Sequence, residues 1–447
     1  MFKRTLIATA VIAAACASTT TSANTSTSAF FDDSTVSGGV YNMTRIRDRQ
    51  PNGSEHFAEN IHHSTTMVGL NFSSGLVGGV FGIDLGAHGT WDMWNSGSSQ
   101  WSEFSLVDDK NKIKDGFTIN RANVKLDFDV FKARAGYIQP SGPGVLGVNW
   151  SFMPGTYRGA EGVYSANGLT IAYMWADEYK NPWNYDMEKM TRNDAVTDKD
   201  DNVITKATEI DYVQSLGASY AFGNGYSVLG AWGEGEDFVD LYKFKLAKDG
   251  EGFNVSYHFY GMNDRDDKED SLNNIYDGLT YQHVLMSKFN KDNWTFRAEA
   301  TYTIAKGKQG NFVVRPTGYN GGFGKSNGAY EVWWDSRSDF NHNEEKAVFL
   351  GATYDFDHGW SAGASFAYGW DGKSNDTKVT TEKLKEIAYN LDVGYTFQSG
   401  QLKGASVKAH YTIYDLETDV NSWSTAFPNA FRDERDLKIS FAMPFSF

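Results

Sequence analysis

Apolar and polar residues alternate singly along most of this chain. From Arg121 to Phe128, one parity holds Ala122, Val124, Leu126 and Phe128. The other holds Arg121, Asn123, Lys125 and Asp127. A strand sends successive side chains to opposite faces, so the alternation predicts β-structure with two unlike faces. It pauses near Asp129-Val130 and resumes with Phe131, Ala133, Ala135 and Tyr137 against Lys132 and Arg134, which predicts a hairpin. One hairpin is equally at home in a soluble sandwich. The repetition separates the two. Trp294, Phe296, Ala298, Ala300, Tyr302 and Ile304 alternate with Thr295, Arg297, Glu299, Thr301 and Thr303. The same pattern runs through 387–397, 405–413, 210–222 and 253–261. These stretches exceed the roughly 5–6 residues of an ordinary globular strand.

The connections alternate in length. Short ones fall at 73–78, 129–130, 166–168, 222–225, 248–252, 291–293, 357–359 and 398–404. Long ones cover 48–61, 92–115, 138–156, 177–209, 262–277, 305–344, 371–385 and 416–432, and a short one near 236–238 stands in their series. Short turns on one side and long loops on the other predict an all-β fold: a transmembrane antiparallel β-barrel of about 18 strands with both termini on the periplasmic side. Leu437, Ile439, Phe441, Met443, Phe445 and Phe447 hold one parity to the last residue. A terminal aromatic on such a strand resembles the signal read by the barrel assembly machinery.

The N-terminus fits this destination. Lys3 and Arg4 precede a short apolar run, Leu6 to Cys16, which is too short to span a bilayer. Residues 1–23 read as a secretory signal, with cleavage after Ala17 or Ala23 (within 17–29), and 31–447 as the barrel domain. Cys16 is the only cysteine and leaves with the signal, so no disulfide scaffold is expected. Ala13 stands where a lipoprotein signal carries a larger aliphatic residue. No later segment is apolar enough for a membrane helix.

The composition is 40% hydrophobic with 15% aromatics, and Pro occurs only 8 times. A barrel reconciles low mean hydropathy with membrane residence, because its lumen stays polar while its strands satisfy every backbone group. Pro is scarce because it cannot donate to a sheet ladder. The net charge of −15 argues against nucleic acid as partner. Acidic runs at Asp198–Asp201, Asp264–Asp270 and Asp433–Asp436 read as solvated loops.

Lys or Arg facing lipid at mid-bilayer costs about 2–4 kcal/mol, so charged residues within strands belong in the lumen. That assigns Arg121, Lys125, Asp127, Lys132, Arg134, Arg297, Glu299 and Lys408 to the interior. Arg45 and Arg47 begin a basic ladder, which Arg49 either continues or leaves for the loop. The ladder serves either as donors to a passing solute or as half of a wall of ion pairs. The stretch 136–162 combines Gly and Pro with Trp150, Phe152, Met153 and Tyr157. It reads as a constriction loop folded into the lumen, carrying Pro140, Gly144, Trp150, Met153 and Pro154. Trp150, Phe152 and Tyr157 suggest a sugar path, since a pyranose face stacks on an aromatic ring. Trp333, Trp334, Asp335 and Arg337 either add to that path or pack their own loop. His62, His63 and His410 read as solvated or lumenal polar residues. No catalytic set and no metal-ligand spacing stands out, so neither an enzyme nor a cofactor is expected.

Several segments carry a family likeness. GYIQPSGPG, WSFMPGTYRGAEG, MWADEYKNPW, EVWWDSRSDFNHNEEKAVFLGATYD and FRDERDLK resemble the monomeric chitoporins of the OprD family of outer-membrane porins. The likeness runs from about Phe31 to Phe447. It implies an 18-stranded barrel working alone among outer-membrane lipid and lipopolysaccharide. It also implies passive uptake of chitooligosaccharides, a constricting third loop from Trp150 to Tyr157, and a basic ladder through Arg45, Arg47, Arg121 and Arg134. Arg158 and the Gly-rich stretch 141–147 depart from the family pattern, and both touch the constriction. Other members of the family take small peptides, basic amino acids or organic acids, which is the alternative reading of the solute.

Overall fold

The structure, a computed structural model, describes residues 25–51, 54–97, 104–108, 112–148, 153–197, 203–266, 268, 271–318, 326–375, 380–418, 427 and 432–447. The expected signal with Cys16, the acidic run Asp198–Asp201, and both Trp150 and Phe152 lie outside the described residues. A short helix, α1 (Thr25–Asp32), precedes the sheet. No helix among the described residues is long and apolar enough to cross a membrane.

Eighteen strands pair antiparallel, each with its neighbours in sequence. They are β1 (Thr35–Arg49), β2 (Ala58–Ser73), β3 (Phe81–Ser96), β4 (Gly116–Phe128), β5 (Phe131–Ile138), β6 (Thr156–Ala166), β7 (Leu169–Lys180), β8 (Val213–Ala221) and β9 (Tyr226–Gly235). The second half comprises β10 (Val239–Gly250), β11 (Phe253–Asp264), β12 (Thr280–Lys291), β13 (Trp294–Ile304), β14 (Lys346–Asp355), β15 (Trp360–Lys373), β16 (Lys383–Thr396), β17 (Ser406–Leu416) and β18 (Glu434–Ser446). The sheet closes because β18 pairs with β1 from Ser37↔Ser446 to Arg49↔Glu434. Two hydrogen bonds between Val36 and Phe447 (3.0 and 2.8 Å) finish the seam. Closure leaves no edge, which is what lets a sheet live in hydrocarbon.

The expected strand count, the alternation of short and long connections and the short outer link at 236–238 all match this barrel. The tightest turns explain themselves chemically. Asn167 and Gly168 both take positive φ (52° and 83°), the geometry of a type I′ hairpin turn, which Asn-Gly adopts at little cost.

Burial inverts the soluble pattern. On β16, Tyr389 (47%), Leu391 (59%) and Val393 (49%) are exposed, while the intervening Glu386, Ala388 and Asn390 are buried. The apolar parity faces lipid and the polar parity faces the lumen. Aromatics pair at the short-turn rim: Tyr220 with Phe222 (4.9 Å), Trp294 with Tyr354 (4.8 Å) and Trp360 with Tyr395 (4.8 Å). Amphipathic rings at the headgroup level form the girdle that fixes the barrel's height.

Candidate functional site

Two long loops turn inward and line the wall. The first follows β5. Glu161, on the inner face of β6, accepts the backbone N–H groups of Ser141 (2.8 Å) and Gly142 (3.0 Å) and the Ser141 hydroxyl (2.7 Å). The Arg134 guanidinium completes the anchor on Glu161 at 2.5 Å and also donates to the Gln139 carbonyl (2.8 Å). The loop then lies flat across β7 to β9. A Cβ on Gly142 would collide with the side chain of Ala172, and Gly144 rides over Ser215, whose hydroxyl accepts the Val145 N–H (2.9 Å). These glycines are there for close approach of backbone to wall. At its far end Met153 is buried against Met43, Met67 and Phe104, on the β1–β2 side of the lumen. The described part of this loop, with Pro140, Gly144, Met153 and Pro154, thus enters the barrel.

The second inward segment, residues 326–341, contains Trp333, Trp334, Asp335 and Arg337 and extends beyond them on both sides. Asn327 and Gly328 pair antiparallel with Leu146 and Gly147 of the first loop. From there the segment runs round the opposite wall. Glu331 meets Lys243 (2.8 Å) and Lys245 (2.6 Å) of β10. Trp334 donates its indole N–H to Glu299 (2.7 Å) and stacks on Phe349 (5.5 Å). The Asp335 carboxylate pairs with Lys438, its carbonyl lies 2.9 Å from His410 Nε2, and Arg337 pairs with Glu434. Asp335, Arg337 and Phe340 hold positive φ (52°, 74° and 50°), so this backbone is held by its contacts against its own preference.

Glu331 yields a pH prediction. Burial alone would raise its pKa from the ordinary 4.5, but Lys243 and Lys245 outweigh burial and hold it at about 2. A depressed carboxylate contributes its full stabilisation above 4.5 and loses it as pH falls toward 2. Single-channel noise from loop movement should stay flat from about pH 7 to 5 and rise below that window. A Glu331→Gln channel should be noisier throughout and lack that rise; a parent with no acid-dependent noise would refute the anchor.

The basic ladder faces the lumen, and it is paired. Arg45 donates to Asp436 (Nε at 2.9 Å), and Arg47 donates to Asn60 (2.8 Å) and approaches Glu434 at 3.9 Å. Arg49 also pairs with Glu434. Lys125 pairs with Asp84 (3.0 Å), Lys132 with Asp127 (2.9 Å), Arg297 with Glu299 (2.6 Å) and Lys408 with Asp392 (2.7 Å). Arg158, the departure from the family pattern, pairs with Asp177 and Glu178. Arg121 differs. It faces inward opposite Gly86 and, among the described residues, makes neither an ion pair nor a hydrogen bond. Lys288, opposite Arg297 on the inner face of β12, is likewise unpaired among them and escaped the sequence reading.

Three expectations need correction. Tyr157 offers no stacking face: it is fully buried against Tyr179 (4.6 Å), and its hydroxyl donates to the Asn327 carbonyl (2.8 Å) within reach of Gly147 O and Ser326 Oγ. It fastens the two loops to each other. The run Asp433–Asp436 is not a solvated loop, because Glu434 and Asp436 are buried lumenal partners of the ladder. Asp264 is also buried and accepts the N–H groups of Ile275 and Tyr276 (both 2.7 Å). Among the described residues of the second segment, Trp333 is half exposed, and Arg297 donates to its carbonyl (3.1 Å).

The arrangement is a closed barrel whose inner wall carries matched charges and fastens two inward loops. Comparison with known proteins agrees with such a barrel. The family model for outer membrane porins of the OprD family matches residues 28–425. The chitoporin of Escherichia coli (strain K12) is 38% identical over 447 residues, 93% of this chain and 92% of that protein. Among solved structures, OccAB2 of Acinetobacter baumannii superposes with a TM-score of 0.69 at 19% identity, over 94% of this chain and 99% of the other. OpdK of Pseudomonas aeruginosa gives 0.68 at 15% identity, over 94% and 100%.

Proposed function

This chain belongs to the OprD family of outer membrane porins, and on that premise we propose that it admits chitooligosaccharides passively through the outer membrane. The observation that carries the reading is the matched charge of the lumen. Arg45, Arg47, Lys125, Arg134, Arg297 and Lys408 each lie within ion-pair distance of a lumenal carboxylate. Such a wall offers many hydrogen-bond donors and acceptors with little net field. Hydroxyl and N-acetyl groups can exchange water for it, while a strongly one-signed wall would select ions.

Within that path Trp333 is the stacking face and Arg121 the uncommitted donor. No energy source is needed, because the solute moves down its gradient. The barrel works as a single chain.

Single-channel current in a planar bilayer tests the proposal, with chitohexaose titrated against maltohexaose. Chitohexaose should produce discrete blocking events and maltohexaose should not. Losing one stacking ring costs roughly 1–2 kcal/mol, so Trp333→Ala should shorten the blocks on the order of tenfold. Equal indifference to both sugars would refute the chitin assignment and point to charged solutes.

A further inference from the structure

We propose that His342, Glu345 and Glu386 form a site for one divalent transition-metal ion, of the Zn2+ class, that clamps the second inward loop to the barrel wall. The three side chains come together where that loop ends: His342 and Glu345 immediately precede β14, and Glu386 stands on the inner face of β16. All three side chains are fully buried. Their ligand atoms lie within 4.8 Å of one another.

The hydrogen bonding leaves two oxygens aimed into the cluster. Glu345 Oε2 accepts the His342 backbone N–H (2.9 Å) and lies 3.1 Å from His342 Nδ1. Glu386 Oε2 accepts the Tyr414 hydroxyl (2.6 Å). Both Oε1 atoms have no hydrogen-bond partner among the described residues, and His342 Nδ1 sits 3.7 Å from that of Glu386. No Lys or Arg among the described residues is within ion-pair distance of either carboxylate.

Two buried, uncompensated carboxylates are costly to keep. With the imidazole neutral, one proton shared between them leaves a net charge in a dry pocket. A divalent ion neutralises both and uses the imidazole as well. The wall makes room for this cluster. A Cβ on Gly369 would collide with Glu345 Oε1, and Phe340 and Phe427 close the sides. Tyr414 holds Glu386 in place as outer partners of metal ligands do. One imidazole nitrogen with two carboxylates suits Zn2+ and its neighbours, whereas Ca2+ asks for six to eight oxygens.

The test uses the full-length, untagged barrel in detergent, stripped with EDTA and dialysed. Calorimetric titration with Zn2+ should show one ion per chain, with Ca2+ and Mg2+ giving no competing heat. Outer partners of a ligand are worth about 10–100-fold in affinity, so losing a ligand in His342→Ala or Glu386→Gln should weaken binding at least ~100-fold. The gel shift of unheated barrel reports folding separately. If those variants do not fold, X-ray absorption of the Zn2+-loaded parent should still show one nitrogen donor among oxygens. Folded parent that takes no Zn2+, that prefers Ca2+, or that binds equally after both substitutions would overturn the site and leave a carboxyl pair sharing a proton.

Discussion

Replacing Glu434 with Ala should turn the channel toward anions and lower the stability of the barrel by about 3–5 kcal/mol. Glu434 is fully buried and gathers three guanidinium groups: Arg47 at 3.9 Å, with Arg49 and Arg337 closer. Arg47 is itself nearly inaccessible, so it cannot recover by hydration what it loses. Breaking a buried pair by removing one partner leaves an uncompensated charge, the costly case. The electrical effect follows from the same subtraction. Three cations on one stretch of wall, in a lumen with low-dielectric sides, focus a positive potential along the path. The zero-current potential in a KCl gradient should move toward chloride, and the shift should shrink as salt is raised. Glu434→Gln keeps the side chain's volume and should retain more of the stability with the same electrical change. A potential unchanged in both variants would mean that the ladder does not face the permeation path.

The barrel was legible from the chain because its information is local. Each strand pairs with its sequence neighbours, so period-2 alternation, turn residues and loop lengths already specify the topology. What a lumen does with its charges is not local. Arg45 lies 391 residues from Asp436 in sequence, and closure alone brings them together. The acidic run at 433–436 looked solvated because it carries charge at every step. The parity signal was nevertheless there: Glu434, Asp436 and Lys438 alternate with Arg435, Leu437 and Ile439, so their face had to be the polar one. Tyr157 was misread because it follows a Gly-Pro loop but is already the second residue of β6. A loop reading gives a ring freedom that a strand start denies it. The segment 326–341 carried a specific motif, yet its path round the wall depends on partners from β10 to β18 that no spacing reveals.

The start of the first loop is anchored by a single carboxylate, so Glu161→Ala should release that end. Glu161 accepts three hydrogen bonds from Ser141 and Gly142 while holding Arg134. Hydrogen bonds to a charged group contribute roughly 1.5–3 kcal/mol each, and the substitution also strands the guanidinium. Even with partial compensation by water, docking should weaken by about 3–4 kcal/mol. That is on the order of a hundredfold to a thousandfold in the ratio of docked to undocked loop. Tyr157 and the pairing with Asn327–Gly328 still hold the loop's middle. The release should therefore begin at Pro140–Gly144 and show as frequent excursions to higher conductance. Glu161→Gln keeps an acceptor for the two N–H groups but loses the charge toward Arg134, and should fall between. If the loop sets the sugar fit, blocking by chitohexaose should weaken in step with those excursions. Unchanged conductance and noise in Glu161→Ala would place the narrowest part of the path on the second loop, where Trp333 and its anchors would then carry the selectivity alone.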